Sequence, residues 1–144
     1  MKKILFFAIA MVLFASCDKE EEIKEKDLPS TSREFLKTHF DGVGITRIVH
    51  DKELFDRSYT VWLANGFEID FTKSGEWDEV DGHIHPVPQS ILDLLPSGIT
   101  QYVTENFPKN FIVKVSKESY GFEIELNGGL EIEFNSDGSF RKFD

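Results

Sequence analysis

The stretch Tyr59-Thr60-Val61-Trp62-Leu63-Ala64-Asn65-Gly66-Phe67-Glu68-Ile69-Asp70-Phe71 decides the fold. On both sides of Asn65-Gly66, alternate residues are apolar, which is the period of a half-buried strand. Asn-Gly between two such runs is a strong hairpin signal, because both residues tolerate positive φ. The stretch predicts strands over 58–64 and 67–72. Tyr59, Val61, Leu63, Phe67, Ile69 and Phe71 then share one face, and Thr60, Trp62, Glu68 and Asp70 share the other.

The pattern occurs twice. Gly121-Phe122-Glu123-Ile124-Glu125-Leu126-Asn127-Gly128 and Leu130-Glu131-Ile132-Glu133-Phe134 repeat it, with Phe122, Ile124, Leu126, Leu130, Ile132 and Phe134 on the apolar face. Gly75-Glu76-Trp77 returns as Gly138-Ser139-Phe140, and Leu28-Pro29-Ser30 as Leu95-Pro96-Ser97. A fixed order of such pieces is the mark of a duplicated supersecondary unit. Further strands are expected at 46–50, 76–80, 111–116 and 139–143. Thr31 with Glu34 suggests a capping box for a helix whose apolar stripe is Phe35, Leu36, His39 and Phe40, ended by Asp41-Gly42. Ser97 is the expected cap of a second helix with Ile99, Tyr102, Val103 and Phe107, stopped by Pro108. A short helix over 89–95 sits between Pro88 and Pro96. Consecutive hairpins make an antiparallel meander whose apolar face the helices must cover. The expected fold is α+β: two tandem helix-plus-four-stranded antiparallel repeats forming one curved eight-stranded sheet, helices on one face.

The N-terminus reads as an address. Lys2 and Lys3 precede an unbroken apolar run over 4–14, the length of a signal-peptide core and too short to span a bilayer. Ala15-Ser16 and the chain's only cysteine, Cys17, follow. The segment resembles a bacterial lipoprotein signal with Cys17 lipidated. Asp18-Lys19-Glu20-Glu21-Glu22 resembles the surface-export signal of Bacteroidota lipoproteins. The organisation expected is signal peptide 1–16, flexible acidic tether 17–27, first repeat 28–80, and second repeat 81–144 with a linker over 81–87. The expected location is the outer membrane, displayed at the surface, with the periplasmic face as the alternative.

Composition bounds the function. The chain has 144 residues and a formal net charge of -10, from 16 Lys+Arg against 26 Asp+Glu. Nucleic-acid binding needs the opposite sign, and so does attachment to anionic lipid other than through the anchor. One cysteine excludes a disulfide scaffold. Gly-x-Ser-x-Gly and His-Glu-x-x-His are absent from the sequence, so no enzyme and no cofactor is expected.

Leu28-Pro29, Val61-x-Leu63-x-Asn65-Gly66-x-Glu68-x-x-Phe71, Gly75-Glu76-Trp77, Ile91-Leu92 before Leu95-Pro96, Asn106-Phe107-Pro108 and the second Asn127-Gly128, Phe134, Gly138 set resemble the PepSY-like family of Bacteroidota lipoproteins, also described as beta-lactamase-inhibitor-like. The resemblance covers residues 27–144. It implies two tandem helix-plus-four-strand units in one sheet, and fold does not fix function. The one-sided strand patterning, Trp62 and the lipid tether give the expected function, a non-catalytic binding or inhibitor-like module of the cell envelope. The inhibitor behind the name is disulfide-stapled and this chain is not.

Two constellations remain. Glu68, Asp70, Glu123, Glu125, Glu131 and Glu133 share the uncovered sheet face with Trp62, and Trp77 starts a later strand at its rim. These are the candidate partner-binding residues, for an envelope or extracellular protein. His83 and His85, alternate residues of an extended linker beside Asp78, Glu79 and Asp81, are the candidate metal ligands. The alternative function is therefore an envelope sensor of a small ligand or divalent cation.

Overall fold

The computed structural model describes residues 19–144. The signal peptide and Cys17 lie outside the described residues. The strands are β1 (Glu20–Glu22), β2 (Ile45–Asp51), β3 (Tyr59–Leu63), β4 (Glu68–Phe71), β5 (Trp77–Asp81), β6 (Ile112–Glu118), β7 (Gly121–Leu126), β8 (Glu131–Asn135) and β9 (Phe140–Phe143). The helices are α1 (Ser30–His39), α2 (Gln89–Leu92) and α3 (Ser97–Asn106). All nine strands join one open sheet in chain order, each antiparallel to its neighbour.

Nine strands, not eight, make the sheet. The additional one, β1, lies in the segment expected to be a flexible tether. Glu20, Glu21 and Glu22 pair with Asp51, His50 and Val49. Acidic residues have low strand propensity, but backbone pairing with the free edge of β2 does not depend on side chains. Exposed ion pairs of Lys19 with Glu53 and Lys52 with Glu21, both 2.8 Å, flank it.

The register puts Ile48, Val61, Ile69, Val80, Val115, Ile124 and Ile132 directly opposite one another from β2 to β8. β-branched side chains suit adjacent positions on a pleated surface. Ile48 is 3% exposed and the other six are fully buried. Phe35 and Leu36 from α1, Phe40 at its C-terminal end, Ile91 from α2, and Ile99 and Val103 from α3 join them in one hydrophobic cluster. Leu130 does not join: it precedes β8 beside Gly128-Gly129 and is exposed.

The helix starts differ from the capping expectation. Pro29 and Pro96 occupy the N-cap positions of α1 and α3, with no side-chain cap bond. Ser32 instead turns inward and donates to the Gly75 carbonyl at 2.7 Å. Gly75 has a φ of +94°, and a Cβ there would overlap the Pro29 side chain. Gly138, at +87°, meets the Pro96 side chain in the same way. These two glycines let α1 and α3 sit close against hairpin turns. In the Asn-Gly pairs the glycines, Gly66 and Gly128, take positive φ and the asparagines do not; Gly129 follows at +93°. Asn65 and Asn127 instead use their side-chain oxygens to accept from the amides of Phe67 and Phe111. Among the described residues, no helix is long and apolar enough to cross a membrane.

Truncating the buried row tests its weight. Ile69→Ala is expected to lower unfolding free energy by about 2–5 kcal/mol. Leu130→Ala is expected to change it by no more than about 0.5 kcal/mol. Urea titration of both variants measures the contrast.

Candidate functional site

Opposite the core, a second row crosses the sheet: Val49, Thr60, Asp70, Glu79, Ser116, Glu123, Glu133 and Lys142. Beside it run Arg47, Trp62, Glu68, Asp81, Lys114, Glu125 and Glu131. Glu68, Asp70, Glu123, Glu125, Glu131, Glu133 and Trp62 therefore share one face. Asp70 faces Glu79, Glu123 faces Glu133, and Glu125 faces Glu131 directly across strands. Like charges in such positions are destabilising.

The face answers this repulsion with cations, two of them, Lys114 and Lys142, within the rows themselves and others, Arg57 and Arg141, from outside them. Glu79, 8% exposed, accepts from Arg57 Nη2 at 2.9 Å and from Ser116 Oγ at 2.7 Å, with Lys114 Nζ 3.7 Å away. Glu133 is paired with Arg141 at 3.2 Å and Lys142 at 3.6 Å. Burial alone pushes the Lys114 ammonium down, but Glu79, Asp81 and Glu125 outweigh it and its pKa is raised. Arg57 holds a left-handed φ of 52°, costly for a residue with a side chain, while it spans Asp78 and Glu79. Sequence reading named Glu79 only beside the histidine linker and did not place it, Arg57, Lys114 or Ser116 on this face. Glu79 was legible, since aligning Val80 with Ile69 places it beside Asp70. Arg57 was not, because its loop has no periodicity.

Asp70 lacks such an ion pair. It is 6% exposed, and Thr60 Oγ1 donates to its Oδ1 at 2.6 Å. Burial raises its pKa from 3.8 to about 6; the Thr60 bond opposes the rise, and Glu79 and Glu68 add to it. Asp70 lines a groove of about 270 Å³ with Glu20, Arg47, Val49, Asp51, Leu54, Arg57, Thr60, Trp62 and Glu68. Arg47 lies over the Trp62 ring, 5.2 Å from its centroid, and approaches Glu22 at 3.8 Å. The wall of the groove is the β2–β3 loop, tied down where the Lys73 amide donates to the Phe55 carbonyl at 2.8 Å. Leu54 and Phe55 of that loop are 47% and 73% exposed.

Trp77 is elsewhere. A bulge between Asp70 and Phe71 brings Trp77 opposite Phe71. Its ring lies 6.1 Å from Phe35 of α1, with Lys117 Nζ 4.1 Å from its centroid. It packs at the margin of the core, on the helix side, and does not join Trp62.

The two linker histidines diverge. His83 takes a φ of 56°, so the segment is not extended and alternate residues do not project together. His83 lies 3.7 Å from Glu68 and 3.4 Å from Asp81, whereas the His85 ring stacks near Phe67 at 6.4 Å. Among the described residues, the three-ligand cluster is a different one: Glu123, Glu133 and Asp144, with oxygens within 4.8 Å. Burial, with Glu131 and Asp144 nearby, raises the Glu123 pKa.

The fold and this face together define a class, a small α+β module whose single sheet is covered by helices on one side and open on the other. Residues 57–142 match the model of the family described as beta-lactamase-inhibitor-like, PepSY-like. The chain belongs to this PepSY-like family, the one its motifs resemble. Two solved periplasmic proteins of Bacteroides vulgatus, one described as of the DUF2874 family, are 30% and 31% identical to it. Those matches cover 89% and 87% of this chain and 98% of each neighbour, both with a TM-score of 0.78. A Bacteroides thetaiotaomicron structure, described as a calcium-regulated periplasmic protein, is 28% identical, with a TM-score of 0.80 over 88% of this chain and 98% of that one. No curated protein matches.

The raised Asp70 pKa gives a signed prediction. Its folded value lies above its unfolded one, so the folded state holds the proton better. The stability this group contributes is present below about pH 4 and is lost as pH rises through about 6. Asp70→Asn stays neutral throughout. It is expected to be more stable than wild type by on the order of 1–3 kcal/mol near pH 7.5, and to match it near pH 4. Urea unfolding at the two pH values measures this, and equal stabilities at both would contradict it.

Proposed function

We propose that this protein is a non-catalytic, lipid-anchored module of the cell envelope that engages a protein partner through its open sheet face. The observation that carries the reading is the groove at Trp62, Leu54 and Asp70, with an aromatic ring, an aliphatic wall and a buried carboxylate on a face that no helix among the described residues covers. Aromatic residues in partly desolvated grooves are common binding anchors. The neighbours described as periplasmic support an envelope location, and the sequence around Cys17 supports a lipid anchor with display at the outer membrane.

The two halves read as copies of one unit. Leu63 donates to Phe67 and Leu126 to Leu130, while Gly75 donates to Thr72 and Gly138 to Asn135, through backbone amides in each case. The groove belongs to the first half only, because the β2–β3 loop that walls it has no counterpart in the short β6–β7 turn.

A second reading is favoured by the Glu123, Glu133 and Asp144 cluster. Three carboxylates suit a hard cation such as calcium, and one neighbour is described as calcium-regulated. Calorimetry with calcium separates the readings. Heat that disappears in Glu123→Gln supports cation sensing, and no heat at millimolar calcium removes it.

The leading reading is tested by crosslinking to envelope extract with wild type and Trp62→Ala. A partner captured by the first and lost from the second is the expected outcome. Identical profiles from two equally stable proteins would reject the face.

A further inference from the structure

The groove at Asp70 has an internal imbalance. It is lined by four carboxylates, Glu20, Asp51, Glu68 and Asp70, against two guanidinium groups. Both cations are already engaged. Arg57 is bound to Glu79 and near Asp78, while Arg47 lies over Trp62 and approaches Glu22. Glu68 has His83 at 3.7 Å. Asp70, the most buried carboxylate of the groove, has one hydroxyl donor and no direct ion pair among the described residues; Arg57 acts on it only through its charge at longer range.

The form of that vacancy is specific. Thr60 Oγ1 takes Asp70 Oδ1. Among the described residues, no fully buried polar side-chain atom lacks a partner. The second carboxylate oxygen is therefore not sealed from solvent, and the groove that Asp70 lines gives a donor from outside its approach. One open oxygen suits a single N–H donor. A guanidinium fork, which pairs best with both oxygens of a carboxylate, is less well served. Val49, Leu54 and the Trp62 ring offer apolar surface along the approach, suited to the methylene stem of a long amine. A metal ion is a poorer fit, since the three-ligand cluster among the described residues lies elsewhere, at Glu123, Glu133 and Asp144.

We infer that the groove is a lysine pocket: it takes the side chain of a lysine from an extended segment of the partner protein, the ammonium bonding to the free oxygen of Asp70 and the stem lying along Trp62 and Leu54. This rests on the open-face reading and names its chemistry. The exposed Leu54-Phe55 loop tip then stands beside the bound segment, where it can meet an apolar neighbour of that lysine. The chain's net charge of -10 favours the approach of a basic partner.

The test uses the full chain and a fluorescein-labelled peptide of alternating lysine and valine, read by anisotropy near pH 7.5. Wild type is expected to bind. Asp70→Asn is expected to weaken binding at least tenfold, and Nε-acetylation of the peptide lysines to do the same. The arginine counterpart is expected to bind several-fold more weakly than the lysine peptide. Glu105→Gln, which removes one charge from the exposed side of α3, is expected to bind as wild type. Equal loss in Glu105→Gln and Asp70→Asn would mean diffuse charge attraction and would overturn the pocket. So would wild-type affinity in Asp70→Asn, or no binding by wild type. If the peptide fails while crosslinking still captures a Trp62-dependent partner, the lysine chemistry falls and the open-face reading stands. If neither occurs, both fall.

Discussion

The row of aliphatic side chains from Ile48 to Ile132 holds the molecule together. Seven strands each contribute one residue, and each residue lies directly opposite the next. Strand register is fixed by such a row, because a slip of one residue would turn every core side chain towards water. Three helices converge on it and exclude solvent from that face. Since side chains alternate, fixing this row also fixes the one behind it. Thr60, Asp70, Glu79, Ser116, Glu123 and Glu133 are brought into line by the packing of their neighbours, not by attraction to one another.

That constraint explains the character of the open face. Carboxylates held opposite carboxylates need cations, and the cations come from several places: Arg57 from a loop, Arg141 and Lys142 from the last strand, Lys114 from the middle of β6. The result is not a uniformly acidic sheet. Glu79 and Glu133 are buried and paired with cations, and Asp70 is buried without a direct ion pair. Acidity that is diffuse in the composition is thereby resolved into distinct environments a few ångströms apart.

Much of this was legible in the sequence. The eight strands expected from alternation and turn residues all form, with ends that move by a residue or two, and the two long helices lie where their apolar stripes put them. The family was legible too, since most of the motifs that resemble it lie within residues 57–142, which the family's model matches. What escaped has identifiable causes. β1 was hidden because three consecutive glutamates look solvated and its pairing depends only on a neighbouring edge. Trp77 was expected at the rim of the open face as the start of a strand, and the bulge before Phe71 turns it to the helix side instead. His83 and His85 were paired on the premise of an extended linker, and one left-handed residue undoes it. The groove was visible only in part. Trp62 and Asp70 stood out, but Arg57 and Leu54 arrive from a loop whose path no periodic pattern describes.

The strictly sequential strand order bears on how the protein comes into being. Most strand pairs join neighbours separated by a few residues, so little loop-closure entropy opposes them and they can form early. Two joins differ: β1 reaches β2 across α1, and β5 reaches β6 across α2 and α3. Each of these spans is occupied by helix, which shortens the distance the chain must find by chance. The second join rests on three residue pairs, Glu79 with Ser116, Val80 with Val115 and Asp81 with Lys114. The side-chain contacts of Glu79 with Ser116 and Lys114 cross that same seam. Closing it makes one continuous sheet out of two meanders, so the Glu79 network serves as the clasp of the assembled domain as well as part of its open face.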